Sequence, residues 1–488
     1  MKVLNDLQPQ NVFKYFEEIC AIPHGSRDTL KISNYCANFA KERNLRYIQD
    51  ENNNIVIYKD GTKGYENSDT VIIQGHLDMV CEKENDCHID FSKDGLDIYA
   101  QGDFIKAKGT TLGGDDGIAV AMALAILDSD DIAHPPIEAV FTVDEEIGML
   151  GAAAFDYSVL KGRTMLNIDS EEEGHLLVSC AGGVTATCHL PVSYEQKNGT
   201  KAVIKVTGLQ GGHSGVEIDK GRGNANRILG RILYDMKGKF AFNIISVNGG
   251  LKDNAIPREA IAEILINDDS IYENIKNYIT EFSKILANEY RLTDSNIKVL
   301  FEKADGKRET ETIIKTFTKE STLKVITALL NLPGGIEKMS RDIDGLVQTS
   351  LNMGILKSNE NEIIFSFCVR SSVESEKIEL VNRLSCLMEV LSGTVECNGD
   401  YPAWEYKKDS KLRELMIKVY KELFGNEPAV EAMHAGVECG LFAGNLSGLD
   451  CVSFGPDIFD IHTPKERLSI SSVERTWRYL LEVLKKLG

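Results

Sequence analysis

From the N-terminus to about residue 185, short apolar runs alternate with helical stretches, and this alternation limits the fold more than any other property of the chain. Strands are predicted at 54–58, 70–74, 137–142 and 164–169, and a long helix after Gly117, through IAVAMALAIL. Strands with no polar face are covered on both sides, which points to an α/β sheet flanked by helices. The lead MKVLNDLQPQNVFKYFEEI enters an amphipathic helix with Val12, Phe13, Phe16 and Ile19 on one side.

Beyond about residue 185 the texture changes. A strand at 202–207 leads into the Gly-rich LQGGHSG, followed by a helix at 224–236 and strands at 244–247 and 260–266. A second run of the same kind has a strand at 363–369 and a helix at 375–391. These strand–helix–strand units predict a separate α+β domain, without enough mutual similarity to establish a duplication. After about residue 401 the chain returns to helix (410–424), a loop-bounded apolar stretch (449–454) and a last helix from Ser472. The predicted layout is a catalytic domain of residues 1–185 plus 400–488, with residues 186–399 inserted as a second domain; 488 residues suit two or three domains.

Composition narrows the partners. Asp plus Glu total 74 against 54 Lys plus Arg, and a net charge of −20 disfavours nucleic acid. No segment approaches the roughly 18 consecutive apolar residues of a membrane helix. The start lacks the apolar core of a signal peptide. The 11 cysteines are scattered and form no CxxC pair, which fits reduced thiols and a cytoplasmic protein.

Chemistry gathers where apolar runs end. In QGHLDMV, His76 and Asp78 follow a strand; an imidazole there can bind a metal while a carboxylate fixes its other nitrogen. In TLGGDDGIAVAMA, Asp115 and Asp116 open a helix. Capping and dipole compensation explain one acid, while the flanking glycines suit close approach to a ligand, such as two ions bridged by a carboxylate. FTVDEEIGMLGA ends a strand in successive acids, so Glu145 and Glu146 can divide the roles of base and ligand. LNIDSEEEG repeats the pattern with Asp169, followed by Glu171, Glu172 and Glu173, which read as a solvated charge run. Near the C-terminus FDIHTPKERLSI offers His462; taken alone, a single late histidine is more often structural. This oxygen and nitrogen set suits zinc, cobalt or manganese, and two such ions roughly 3.5–4 Å apart favour hydrolysis of an amide or ester.

These motifs, in this order, resemble the di-zinc exopeptidases that include aminoacylases, glutamate carboxypeptidases, peptidase T and carnosinases, and within them the bacterial aminoacyl-histidine dipeptidases. The resemblance spans essentially the whole chain: FEEICAIPHGS, GGHSGVEIDKGRGNANRIL, MSRDIDGLVQTSLNMG, FCVRSS, HAGVECGLF and IHTPKERLSI. It implies a mixed-sheet α/β catalytic domain of the zinc-exopeptidase (phosphorylase/hydrolase-like) type with an inserted α+β lid. It also implies two zinc ions, one held by His76 and Asp169, the other by Glu146 and His462, with Asp115 bridging them and a cis peptide after Asp115. By the same resemblance Glu145 is the general base and Asp78 orients His76. His213 polarises the substrate carbonyl, Asn254 and Arg370 hold the substrate's carboxylate end, Gly436 shapes the pocket and Glu438 meets a substrate amine. Asp rather than Glu at position 169 favours peptides with a free amino terminus, and relatives often dimerise. The activity so implied is hydrolysis of unblocked dipeptides, Xaa-His among them. A tripeptidase or N-acyl amino-acid deacylase on the same scaffold is the nearest rival, and a non-catalytic metal- or peptide-binding protein a more distant one. A phosphate cradle, suggested by LGGDDG and GGHSG, is disfavoured by the adjacent acids and the missing Lys-Ser/Thr.

Overall fold

A computed structural model describes residues 3–304 and 313–488. The chain forms two compact units, one of Met1–Cys180, Tyr406–Ala432 and Val437–Gly488, the other of Ala181–Glu405 and Met433–Gly436.

The first unit is built on an eight-stranded mixed sheet. Strands Ile137–Thr142, Val71–His76, Thr164–Asn167 and Asp450–Ser453 lie side by side and parallel. Every residue of Val71–His76 and Ile137–Thr142 is buried, as their unbroken apolar character predicts. Antiparallel strands extend the edges, among them Ile55–Lys59 beside Ile137–Thr142. Helix Gly114–Asp128 is apolar on all sides and buried along its length from Asp116 to Leu127. A helix of that kind has no solvent face, so it fixes the start of its own first turn firmly inside the unit. Helix Gln10–Cys20 buries Val12, Phe13, Phe16 and Ile19, the stripe visible in the sequence. The last helix, Ile470–Lys486, is capped by the Ser469 hydroxyl, which accepts from the backbone N–H of Ser472.

The second unit carries a nine-stranded sheet, antiparallel throughout. Strand Thr200–Thr207 alternates buried and partly exposed residues, so one face of the sheet is covered. Helix Ala225–Lys237 buries Ile228, Leu229, Ile232, Leu233 and Met236, a helical spacing that makes one apolar face. These side chains join the core that also holds Ile204, Val206, Ala262 and Ile264. Full burial of each such aliphatic side chain contributes roughly 1.5–3 kcal/mol. The Asn224 side chain caps that helix by accepting from Asn226 and Arg227. Two long strands, Val347–Ser358 and Glu362–Ser371, form a hairpin that sets Arg370 opposite Ser350, and on its other side opposite Gly183.

Most predicted elements appear with ends shifted by a residue or two. The helix read from Gly117 begins at Gly114, and the strand read as 164–169 ends at Asn167, leaving Asp169 free of the sheet. All eleven cysteines are free, and Cys20, Cys180, Cys368 and Cys451 are buried. Among the described residues no helix is long and apolar enough to cross a membrane.

Candidate active site

Three neighbouring parallel strands deliver acids and a histidine at their carboxyl ends, the edge where open α/β sheets place ligands. His76 is the last residue of Val71–His76. Glu145 and Glu146 follow Ile137–Thr142 on one side, and Asp169 follows Thr164–Asn167 on the other. Asp115 lies at the start of helix Gly114–Asp128, where Asp115 and Asp116 depart from helical geometry and the peptide between them is cis. His462 sits in the loop before strand Arg467–Ser469. Asp144, Asp460 and His462 all have positive φ, so both loops adopt backbone that non-glycine residues rarely take.

The side chains converge. Asp115 Oδ1 lies 3.2 Å from His76 Nε2, and Asp169 Oδ1 lies 3.5 Å from the same nitrogen. Asp115 Oδ2 lies 3.3 Å from His462 Nε2, and Glu146 Oε2 lies 2.9 Å from that nitrogen. One carboxylate thus divides its two oxygens between two separate histidine–carboxylate pairs. Ligand atoms ~2.0–2.1 Å from a tetrahedral ion are roughly 3.3 Å apart, and the spacings here fall around that value. Glu146 Oε1 is buried with no hydrogen-bond partner among the described residues. The donor chemistry therefore fits a pair of divalent ions. Ligand atoms of His76, Asp115 and Glu146 lie within 4.8 Å of one another, as do those of His76, Asp116 and Asp169. Of the two adjacent acids, Asp115 is the better ligand. The Asp116 carboxylate already accepts the His76 backbone N–H at 3.1 Å and lies against Gly75, where a Cβ would come within 2.4 Å of Asp116 Oδ2.

His76 Nδ1–H donates to the main-chain carbonyl of Asp78 at 2.9 Å, which leaves Nε2 facing the acids. The Asp78 carboxylate is 3.6 Å from Nδ1. It accepts instead from the Ser26 hydroxyl at 2.8 Å and from the Glu145 backbone N–H at 3.1 Å. Asp78 therefore holds the histidine through its backbone and the Glu145 loop through its carboxylate, a division the sequence did not reveal.

Crowded acids distort titration here. Burial alone would lower the His76 imidazole, but Asp115, Asp169 and Asp78 outweigh it and hold the ring well above its ordinary range. Hydrogen bonding to Asp115 and Glu146 raises His462 to about 10. Burial raises Asp169 to about 6, and it raises Glu145 to about 9 with Asp169, Glu438 and Glu146 adding to the rise. Asp115 goes the other way: burial opposes it, yet His462 and His76 pull it below the usual carboxylate range. The cluster attracts positive charge, whether protons on imidazoles or metal ions.

Two sequence readings are altered by the geometry. Glu438, expected to meet a substrate amine, has Oε1 without a partner among the described residues. It is fully buried, and its Oε2 accepts from Gln74 Nε2 and the Thr142 hydroxyl, each at 2.6 Å. Gln74 Oε1 in turn accepts from Asn167 at 2.5 Å, so this network ties together the three strands that deliver the ligands. The run Glu171–Glu172–Glu173 is not a uniformly solvated face either. Burial, with Asp115 and Asp169 nearby, raises Glu171 to about 8. Glu173 accepts from Arg475 Nε and Nη2, each at 2.6 Å, while Glu172 remains exposed.

The remaining expected groups belong to the second unit. His213 pairs with Ala255 across a two-stranded ribbon, next to Asn254. Its Nδ1 accepts backbone N–H groups of Gly215 and Val216, both at 3.2 Å, so the proton resides on Nε2. Burial, then Arg370, lowers its pKa and keeps the ring neutral. Asn254 is exposed, and its carbonyl accepts from Ser214 N–H at 2.9 Å. Arg370 is only 7% exposed; Nη1 donates to the Tyr401 hydroxyl at 2.9 Å, and Nε has no partner among the described residues. Gly436 lies against Tyr401, where a Cβ would come within 2.6 Å of the ring. His434, given no role from the sequence, is buried here with Nε2 2.7 Å from the Ser350 hydroxyl. Burial, Arg370 and His213 push it down to about 3.

The Peptidase family M20/M25/M40 model matches residues 72–486. The chain is 36% identical over 489 residues to the cytosol non-specific dipeptidase of Escherichia coli (strain K12), covering 100% of this chain and 99% of that protein. It also superposes on the crystal structure of aminoacylhistidine dipeptidase from Vibrio alginolyticus with a TM-score of 0.93 and 33% identity, over 99% of this chain and 98% of that one. Aminopeptidase PepT from Bacillus cereus shares the fold at a TM-score of 0.57 and 15% identity, over 99% of each chain. With its acids and histidines gathered at the ends of parallel strands, the chain belongs to the peptidase family M20/M25/M40, metal-dependent hydrolases of peptide bonds.

Proposed function

We propose that this chain is a cytoplasmic metallo-dipeptidase that hydrolyses unblocked dipeptides, Xaa-His among them, with two zinc ions as cofactor. The observation that carries this reading is the division of the Asp115 oxygens between the His76–Asp169 and His462–Glu146 pairs. The full-length likeness to a cytosol non-specific dipeptidase and to an aminoacylhistidine dipeptidase supports the substrate class.

In this reading His76, Asp169, His462, Glu146 and Asp115 would hold the two ions. Bound there, the ions would supply Lewis-acid polarisation and bring the acidity of water toward neutral pH. Glu145 takes the proton from the attacking water and returns it to the leaving amine. Burial and the neighbouring acids raise its proton affinity, and cations held beside it would return the carboxylate to the ionised form that accepts a proton. Asp78 holds the Glu145 backbone in place for that transfer. His213 offers Nε2–H to the oxyanion, because its Nδ1 is already occupied as an acceptor. Arg370 and Asn254 bind the peptide's carboxylate end, and Gly436 keeps space beside Tyr401.

The test is an activity panel on metal-stripped protein reloaded with zinc, cobalt or manganese. Ala-His and other unblocked dipeptides are expected to be cleaved only after reloading. Faster turnover of N-acetyl-histidine would make the chain a deacylase, and preference for tripeptides a tripeptidase. No turnover of any amide would leave a binding protein.

A further inference from the structure

The LGGDDG turn resembles an anion cradle, and the structure shows what fills it. Gly113 has φ +67° and opens the turn, so the backbone N–H groups of Leu112, Gly113, Gly114 and Asp115 point one way. Successive amides aimed at one point form a nest of positive potential. The occupant is the chain's own Glu466. Its Oε2 accepts from Leu112 at 2.7 Å and from Gly113 at 3.2 Å. Its Oε1 accepts from Gly114 at 2.8 Å and, more weakly, from Asp115 at 3.4 Å. Glu466 is 3% exposed, and a Cβ on Gly114 would sit 3.2 Å from Oε1, so the approach depends on glycine.

The placement matters because both ends of this contact carry candidate ligands. The amide turn ends in Asp115, and Glu466 follows His462 by one turn, its own N–H donating to Thr463 O at 3.1 Å. The strand beginning at Arg467 then pairs with Phe104–Ala107, which anchors the carboxylate from behind. One buried side chain therefore spans two loops whose side chains must meet within 3.3 Å, between Asp115 Oδ2 and His462 Nε2.

We infer that Glu466 is a positioning residue that sets Asp115 and His462 in register for metal binding. The inference rests on the metal-site reading proposed above. A carboxylate suits the task because it offers each pair of amides a separate oxygen, with no donor to oppose them. Glutamine keeps the shape but turns an NH2 group toward one amide pair.

The experiment uses metal-stripped full-length wild type, Glu466→Gln and Glu466→Ala, titrated with Zn2+ against a chromophoric chelator, with the Tm of each stripped protein recorded in parallel. Wild type is expected to bind two ions. Each variant is expected to bind about 10–100-fold more weakly, the usual effect of losing a group that orients metal ligands. Added formate is expected to recover part of the affinity of Glu466→Ala, by occupying the amide nest, and none of that of Glu466→Gln. Wild-type affinity in both variants, even with a lowered Tm, would reduce Glu466 to a stabilising contact and overturn the inference. If Glu466→Ala does not fold, the affinity of Glu466→Gln decides. A wild type that takes up no metal would overturn the metal-site reading, and this inference with it.

Discussion

The two units contain buried polar clusters of opposite character. In the first, Asp115, Glu146 and Asp169 surround His76 and His462, and both imidazoles are held well above their ordinary range. In the second, Arg370, His213 and His434 lie together; both imidazoles are lowered, and His434 falls to about 3. The same residue type is driven in opposite directions by its neighbours. Burial lowers a histidine wherever it occurs, so the sign is decided by whether carboxylates or a guanidinium stand beside it. The first cluster attracts positive charge. The second holds the buried Arg370 guanidinium, whose Nε has no partner among the described residues, and so attracts negative charge.

This contrast can be broken at several points. The largest effect is expected from Glu145→Ala, which should lower kcat by about 10²–10⁴-fold, the range for a lost general base, with metal content near normal by elemental analysis. Loss of metal together with activity would make Glu145 part of the cation-holding set. Next is Arg370→Met. Loss of charged hydrogen bonds to a substrate carboxylate should cost kcat/KM about 1.5–3 kcal/mol, roughly 10–150-fold. A dipeptide amide, lacking that carboxylate, should be nearly indifferent to the change, and Arg370→Lys should restore little. Equal losses on acid and amide would remove the anion-receiving role.

The smallest effect concerns stability. The folded His434 titrates at about 3 against an ordinary 6.5, so between those values the unfolded chain binds the proton and the folded chain does not. Stability therefore falls as pH drops below about 6.5, and the contribution is intact above it. His434→Gln, which keeps a donor toward Ser350, should lessen the loss between pH 7 and pH 5 by on the order of 1–2 kcal/mol in urea unfolding. An unchanged acid limb would mean that His434 is not held neutral.

The sequence was most informative where burial is two-sided. The runs at 70–74 and 137–142 read as covered strands and are buried throughout at 71–74 and 137–142, and the acids that follow them stand out against that apolar setting. It was least informative where a residue's meaning comes from a distant partner. Glu438 meets Gln74 across 364 positions, and Glu466 meets Leu112 across 354, so neither environment leaves a local trace. Glu171 and Glu173 failed for a different reason. Three like residues in a row suggest one shared environment, yet past the end of a strand successive side chains diverge, toward the ligand cluster in one case and Arg475 in another. Asp78 was half legible: its spacing from His76 placed it at the site, but not that its carbonyl and its carboxylate serve different neighbours.

Asp115 and His462 meet across 347 positions of sequence. A ribosome delivers the chain from its N-terminus, so the segments carrying His76, Glu146 and Asp169 emerge long before the loop that carries His462. On the metal-site reading proposed above, a nascent chain that has not reached this loop lacks one of the two histidines between which Asp115 divides its oxygens.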